Sequence, residues 1–222
     1  MADFETILGG FGVKVTAAAL DRAYDDSAGY LGRLWAKNRD VAVDEHVRAI
    51  LGAVDGKLPA RVPPDVMTAL VDAYARPILM VPPAVDDGAR VALERLRGQG
   101  LTLAVVSNTM RTPGTTLRKL LERFGLLASF AHATFSDEVG VRKPDTEIFA
   151  LTLRALRVEA AAAVHVGDDP ILDVLGARRA GLRTIQVTGA SLESLGAERP
   201  DAVIRSLAGL PEAIARLEER AP

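Results

Sequence analysis

The sequence predicts an α/β protein: a helical segment over residues 1–80, then a doubly wound parallel sheet over 81–222. Three observations carry this reading. Residues 2 to about 76 place apolar side chains at helical spacing and contain no convincing strand. From Pro82-Pro83 onward, short apolar runs alternate with helical stripes, the pattern of crossover connections and parallel strands. The notable polar residues stand directly after apolar runs, where an open α/β sheet has its ligand crevice.

In chain order, Phe4, Ile7, Leu8 and Phe11 mark a first helix. The GGFG stretch at 9–12 follows no strand, so it reads as a helix end and turn and not as a nucleotide loop. Further helices are expected near 16–37, 43–54 and 64–76. After the two prolines, Ala89, Ala92, Leu93 and Leu96 form one helical face, and Gly100 turns the chain into the strand LTLAVV. A stripe of Leu117, Leu120, Leu121 and Phe124 follows, then strands near 131–135, 162–166, 184–187 and 202–204, with a helix near 145–156 and others between and after them.

Apolar residues at 49% and charged residues at 25% are the usage of a globular chain that buries a core. A net charge of -2 without any Lys/Arg block excludes an electrostatic nucleic-acid surface and leaves a small molecule as the expected partner. Zero cysteine excludes disulfides, thiolate metal sites and cysteine nucleophiles. No apolar run reaches the roughly 18 residues needed to cross a bilayer. The start MADFETILGG has no basic flank or apolar signal core, so a cytoplasmic protein is expected.

Three segments carry candidate chemistry. In VVSNTM, Ser107 and Asn108 leave a strand and offer a hydroxyl and an amide to a phosphate oxygen; a plain turn uses the same residues. In SDEVGVRKPDTEIF, Lys143 precedes Pro144, which restricts it to extended geometry and presents its ammonium at a defined place; a solvated lysine beside a helix cap is the alternative. In VHVGDDPILDVLGARRAG, Asp168 and Asp173 lie about a helical turn apart after a strand and can converge on a hard cation such as Mg²⁺. Asp169, before Pro170, suits a helix cap. His46, His132 and His165 lack ligand spacing, and His165 reads as a core residue of its strand. Trp35, Tyr24 and Tyr30 read first as helix packing, with a substrate cleft as the alternative.

Strand-Ser, then Lys-Pro, then Gly-Asp-Asp with a further Asp resembles the second, third and fourth motifs of the haloacid dehalogenase superfamily, above all in SDEVGVRKPD followed by HVGDD. The resemblance covers nearly the whole chain, with residues 1–80 as a helical cap domain and 81–222 as the Rossmann-like core. It implies that Ser107, Asn108 and Lys143 bind the phosphoryl group of a small phosphorylated metabolite. It also implies that Lys143 steadies the charge of nucleophile and phosphate, and that Asp168 and Asp173 hold Mg²⁺, Asp168 directly and Asp173 through water. The Gly-Asp-Asp run favours a phosphatase over the metal-free dehalogenases of that family.

One part of the pattern is missing. The family's first motif is an apolar strand ending in Asp-x-Asp, whose first aspartate attacks phosphorus. The nearest match, DFETIL with Asp3 and Glu5, follows only Met1 and Ala2 and equally fits the first cap helix. The expectation is therefore a truncated phosphohydrolase without its nucleophile and with very low turnover. The alternative is a non-catalytic descendant that binds a phosphorylated ligand or a protein. The same loss removes the first central strand, between the strands ending at Val106 and Val166, so those two strands are expected to close together or to be bridged.

Overall fold

Cap residues and apolar stripes fix the first elements where the sequence puts them. The structure, a computed structural model, describes residues 2–189 and 199–219; of the two predicted domain ranges, residues 1, 190–198 and 220–222 lie outside that description. Helix α1 (Ala2–Gly10) buries Phe4 and Leu8. It ends in the GGFG turn, where Gly12 N–H bonds to Gly9 O and Val13 N–H to Leu8 O, with Gly12 at φ +83°. That left-handed conformation is the one glycine adopts at no steric cost. Thr16 caps α2 (Ala17–Trp35), its hydroxyl accepting from Ala19 N. Helix α3 (Val43–Val54) carries Asp44 and Glu45 in its first turn, and the short α4 (Leu58–Arg61) follows. Helix α5 (Pro64–Ala75) opens on a proline, whose missing N–H costs nothing there, and α6 (Pro77–Met80) is a single turn.

These helices form the body of one compact unit, Met1–Pro83 with Thr109–Leu120 and Ser136–Gly140. Its core joins Leu8, Leu20, Val47, Ile50, Leu51 and Leu70, all fully buried. Each such side chain contributes about 1.5–3 kcal/mol relative to exposure. The two later segments are held in this unit by a buried polar network. Ser136 donates to Asp40 Oδ2 at 2.5 Å, Trp35 Nε1 donates to Asp40 Oδ1 at 3.1 Å, and Thr109 N–H donates to Ser136 Oγ at 2.8 Å. The Asp137 carboxylate accepts from Gly114 N at 3.1 and 3.2 Å, and burial pushes that carboxyl up from its ordinary value.

The second unit, Ala84–Asn108, Leu121–Phe135 and Val141–Pro222, holds the strands. Helix α7 (Ala89–Gly98) buries Ala89, Ala92 and Leu96 and feeds β1 (Ala104–Ser107). After α8 (Gly114–Arg123), β2 (His132–Phe135) pairs parallel to β1, with Ala104 opposite His132 and Ser107 opposite Phe135. The turn α9 (Ser136–Val139) and helix α10 (Thr146–Leu156) lead to β3 (Val164–Gly167). Strands β4 (Arg183–Val187) and β5 (Ala202–Ile204) extend it, again parallel. Between β3 and β4 lie a π-helical turn, Pro170–Leu175, and α11 (Gly176–Arg179); α12 (Leu210–Glu219) closes the described chain.

The expected α/β class with parallel strands is present, but not as one continuous sheet. Among the described residues β1 and β2 form a two-stranded sheet, and β3, β4 and β5 form a three-stranded one. Strands β1 and β3 do not close into a ladder, contrary to the first of the two outcomes expected for them. Each keeps one edge without a strand partner and is half-buried along its length, whereas β4, paired on both sides, buries Thr184, Ile185 and Gln186. Ile185 packs with Ala92, Leu96, Ile204, Leu210 and Leu217, while Val106 joins a second cluster around Ile148, Phe149 and Ala177.

Candidate functional site

The residues singled out in the sequence lie at the carboxyl ends of β1 and β3 and on the loop before α10. Ser107 is the last residue of β1, and its hydroxyl has only a marginal contact, 3.5 Å to Asn108 O, so it remains available to a ligand. Asn108 is engaged at both ends of its amide: Nδ2 donates to Lys143 O at 3.0 Å and Oδ1 accepts from Lys143 N at 2.8 Å. An amide expected to face phosphate thus clamps the lysine backbone. The Lys143-Pro144 bond is cis, and Asp145 caps α10 by accepting from Glu147 N.

Lys143 Nζ donates to Asp173 Oδ1 at 2.5 Å, with the two side chains only 12% and 5% exposed. Asp173 Oδ1 also accepts from His165 Nε2 at 2.8 Å, and Oδ2 accepts from Asp169 N at 3.1 Å. A carboxylate only accepts, so the histidine contact requires hydrogen on Nε2. Burial alone would raise the Asp173 carboxyl, but the His165 hydrogen bond and the Lys143 charge hold it well below the usual carboxylate range. His165 is therefore not merely the core residue expected of it: one ring nitrogen faces Asp173 while its ring stands edge-on to Phe149 at 5.0 Å. No motif announces this partnership, since the contact is set by the turn that brings Asp173 back over the strand.

Gly167 explains how Asp173 comes so close. A Cβ there would lie 2.2 Å from Asp173 Cγ and 2.5 Å from Oδ2, so only glycine admits the carboxylate at this point. Asp169 takes the capping role expected of it, Oδ1 accepting from Ile171 N and Leu172 N at 2.8 Å each. Asp168 differs from both neighbours. It is exposed and its carboxylate has no hydrogen-bond partner among the described residues, while its carbonyl accepts from Gln186 Nε2 at 3.0 Å. Asp3, the nearest match to a nucleophile, is on α1 and pairs with Arg76 at 3.2 Å, not at a strand end.

Residues 9–181 match the description "haloacid dehalogenase-like hydrolase". The chain belongs to the haloacid dehalogenase-like hydrolase family. It is 33% identical over 204 residues to haloacid dehalogenase-like hydrolase domain-containing protein 3 of Mus musculus, covering 90% of this chain and 74% of that protein. A phosphoserine phosphatase of Thermus thermophilus is 39% identical over 99 residues, 45% of this chain and 39% of that one. The match thus spans less than half the length of the bacterial relative. Among solved structures, the 2-haloacid dehalogenase of Pseudomonas syringae superposes with a TM-score of 0.65 at 24% identity, over 97% of this chain and 89% of that one, a likeness of fold.

For a haloacid dehalogenase-like hydrolase the sequence led us to expect Mg²⁺ on Asp168 and Asp173. Magnesium takes about six oxygen ligands in near-octahedral geometry. Here Asp168 stands open but alone, and both Asp173 oxygens are occupied by Lys143, His165 and a backbone N–H. Among the described residues no three His, Cys, Asp or Glu groups converge as a metal site. As placed, these residues do not by themselves make a magnesium site: Asp173 Oδ1 is taken by Lys143 and His165, and Asp168 has no second carboxylate turned toward the same point among the described residues.

Proposed function

We propose that the crevice at the ends of β1 and β3 binds the phosphoryl group of a small phosphorylated metabolite, in a phosphatase-type hydrolase of this family. One observation carries the reading: the Lys143 ammonium is fixed at its head by Asp173 and at its backbone by Asn108, the residue that follows Ser107, whose hydroxyl is available. A preorganised cation and hydroxyl at the sheet's carboxyl edge suit a phosphate oxygen, and fixing them beforehand spares the cost of ordering them on binding. In this reading Ser107 and Lys143 touch phosphate, Asn108 positions Lys143, and residues 1–80 act as the cap that selects the leaving group. Relatives named phosphoserine phosphatase and glyceraldehyde 3-phosphate phosphatase support the substrate class.

Hydrolysis through an aspartyl-phosphate needs a carboxylate that is open and directed at phosphorus. Asp173 is occupied, Asp169 caps the helical turn and Asp3 is paired on α1, which leaves residues 1–222 as a phosphate binder of very low turnover. Among the described residues Asp168 is the one open carboxylate of the cluster, and the position of a cation rather than of a nucleophile is the one the family resemblance gives it. The test pairs binding with turnover. Calorimetry with inorganic phosphate should show binding that Lys143→Met weakens at least tenfold, and p-nitrophenyl phosphate with Mg²⁺ should be hydrolysed barely above background. Equal phosphate affinity in Lys143→Met would overturn the site, and robust hydrolysis by residues 1–222 would overturn the low-turnover reading.

A further inference from the structure

The helical unit contains a cavity of about 580 Å³ whose lining includes Asp3, Asp21, Tyr24, Tyr74, Pro77 and Arg111. That volume lies within the range of small-molecule sites, roughly 300–1,000 Å³. Arg111 is held with its guanidinium carbon 3.9 Å from the Tyr24 ring centroid. Stacking fixes the plane of the guanidinium and leaves its N–H edge facing outward. Among the described residues Arg111 has no carboxylate within ion-pair range, and burial holds it below its ordinary pKa.

The acids of the lining are not equivalent. Asp3 is neutralised by Arg76 at 3.2 Å. Asp21, one helical turn before Tyr24 on α2, has no ion pair among the described residues and lies beyond 4.0 Å from Arg111. The cavity therefore presents one uncompensated cation and one separated, uncompensated anion against a wall that includes the Tyr24–Tyr74 ring pair, whose centroids are 6.4 Å apart. A purely anionic guest meets Asp21, and a purely cationic one meets Arg111. Neither residue takes part in the phosphate chemistry above.

We infer that this cavity is a receptor for a small zwitterion, an α-amino-acid group whose carboxylate is bound by Arg111 and whose ammonium is bound by Asp21, with the side chain against the tyrosine wall. The inference stands apart from the phosphate site. The probes are L-phenylalanine, phenethylamine and 3-phenylpropanoate, which share one body and differ in which charges they carry. In calorimetry with the full chain, L-phenylalanine should bind at least tenfold tighter than either of the others. Arg111→Met should lower L-phenylalanine affinity at least tenfold and leave phenethylamine within threefold, and Asp21→Asn should do the converse, sparing 3-phenylpropanoate. Inorganic phosphate binding and the unfolding midpoint should stay unchanged in both variants, so a failure of the phosphate site shows separately. Equal affinities for the three probes, no binding of L-phenylalanine, or indifference to both substitutions would overturn the receptor.

Discussion

Replacing Asp173 by asparagine tests what holds the candidate site together. The carboxylate accepts three bonds, from Lys143 and His165 on one oxygen and from Asp169 N on the other. Asparagine keeps one acceptor and gains a donor. With its oxygen toward Lys143 and His165, its NH₂ faces the Asp169 N–H; flipped, its NH₂ faces the lysine and the histidine. The first arrangement costs less, and it still loses about 1 kcal/mol for the backbone bond and about 2 kcal/mol for the charge assistance to a buried ammonium. The expected loss is about 3 kcal/mol, at the lower end for breaking a buried ion pair from one side. For a chain of this size that lowers the unfolding temperature by about 6–12 °C. Urea unfolding followed by circular dichroism measures it, together with Lys143→Met and the double variant. The pair should show a coupling of about 2 kcal/mol, the double variant costing less than the sum of the singles. An Asp173→Asn loss below about 1 kcal/mol, or single effects that simply add, would show that Lys143 is not held by this carboxylate.

Other expectations follow from the same contacts. Asn108→Ala removes both bonds to the Lys143 backbone and should cost about 1–2 kcal/mol in stability while weakening inorganic phosphate binding in calorimetry. Asp168→Asn, at an exposed side chain without a hydrogen-bond partner among the described residues, should stay within about 0.5 kcal/mol of the parent in urea unfolding. Mg²⁺ at about 1 mM should leave the parent's midpoint unmoved; a gain of about 1.4 kcal/mol, the value at ten times Kd, would mean that the Lys143–Asp173 pair opens to admit the ion. Burial pushes the Tyr74 phenol up from 10.0 to about 12. Unfolded chains then lose that proton first, so stability is fully present below pH 10 and is lost toward pH 12, by about 1–2 kcal/mol once water on the cavity side is allowed for. The difference between the ultraviolet tyrosinate titrations of the parent and of Tyr74→Phe checks this. Hydrogen exchange should be slowest at Ile185 and Gln186 in β4 and faster along β1 and β3.

Much of this architecture was legible because it is local. The stripe through Phe4, Ile7 and Leu8 and the capping chemistry of Asp169 depend on neighbours within a turn or two, and the structure places them as their spacing demands. The strands ending at Ser107 and Gly167 were visible as apolar runs followed by polar residues. Partnerships between distant residues were not legible. Nothing in VVSNTM says that the Asn108 amide will clamp a lysine 35 residues away, and nothing near Asp173 says that an ammonium will take one of its oxygens. His165 stands in an apolar strand, and its partner Asp173 comes from the turn that follows, so the sequence context of the histidine does not announce the contact. Arg111 and Asp21 carried no motif at all; only the cavity brings them to one place.

The division of the sheet gives these side-chain bonds a structural role as well as a chemical one. With no ladder between β1 and β3, no backbone bond among the described residues joins the strand that ends at Ser107 to the strand that ends at Gly167. The connection runs through side chains instead: Asn108 grips Lys143 by both its N–H and its carbonyl, and Lys143 reaches Asp173, which in turn holds His165 on β3. The two-point amide contact sets the orientation of the lysine as well as its position, which a single bond does not do. Glycine at 167 is what lets the far end of this chain dock, since any side chain there displaces Asp173 and with it the ammonium. In place of a shared ladder, the two strands are thus linked through side-chain bonds of the groups proposed to receive phosphate. Whatever loosens the bridge should loosen the phosphate site and the two sheets together.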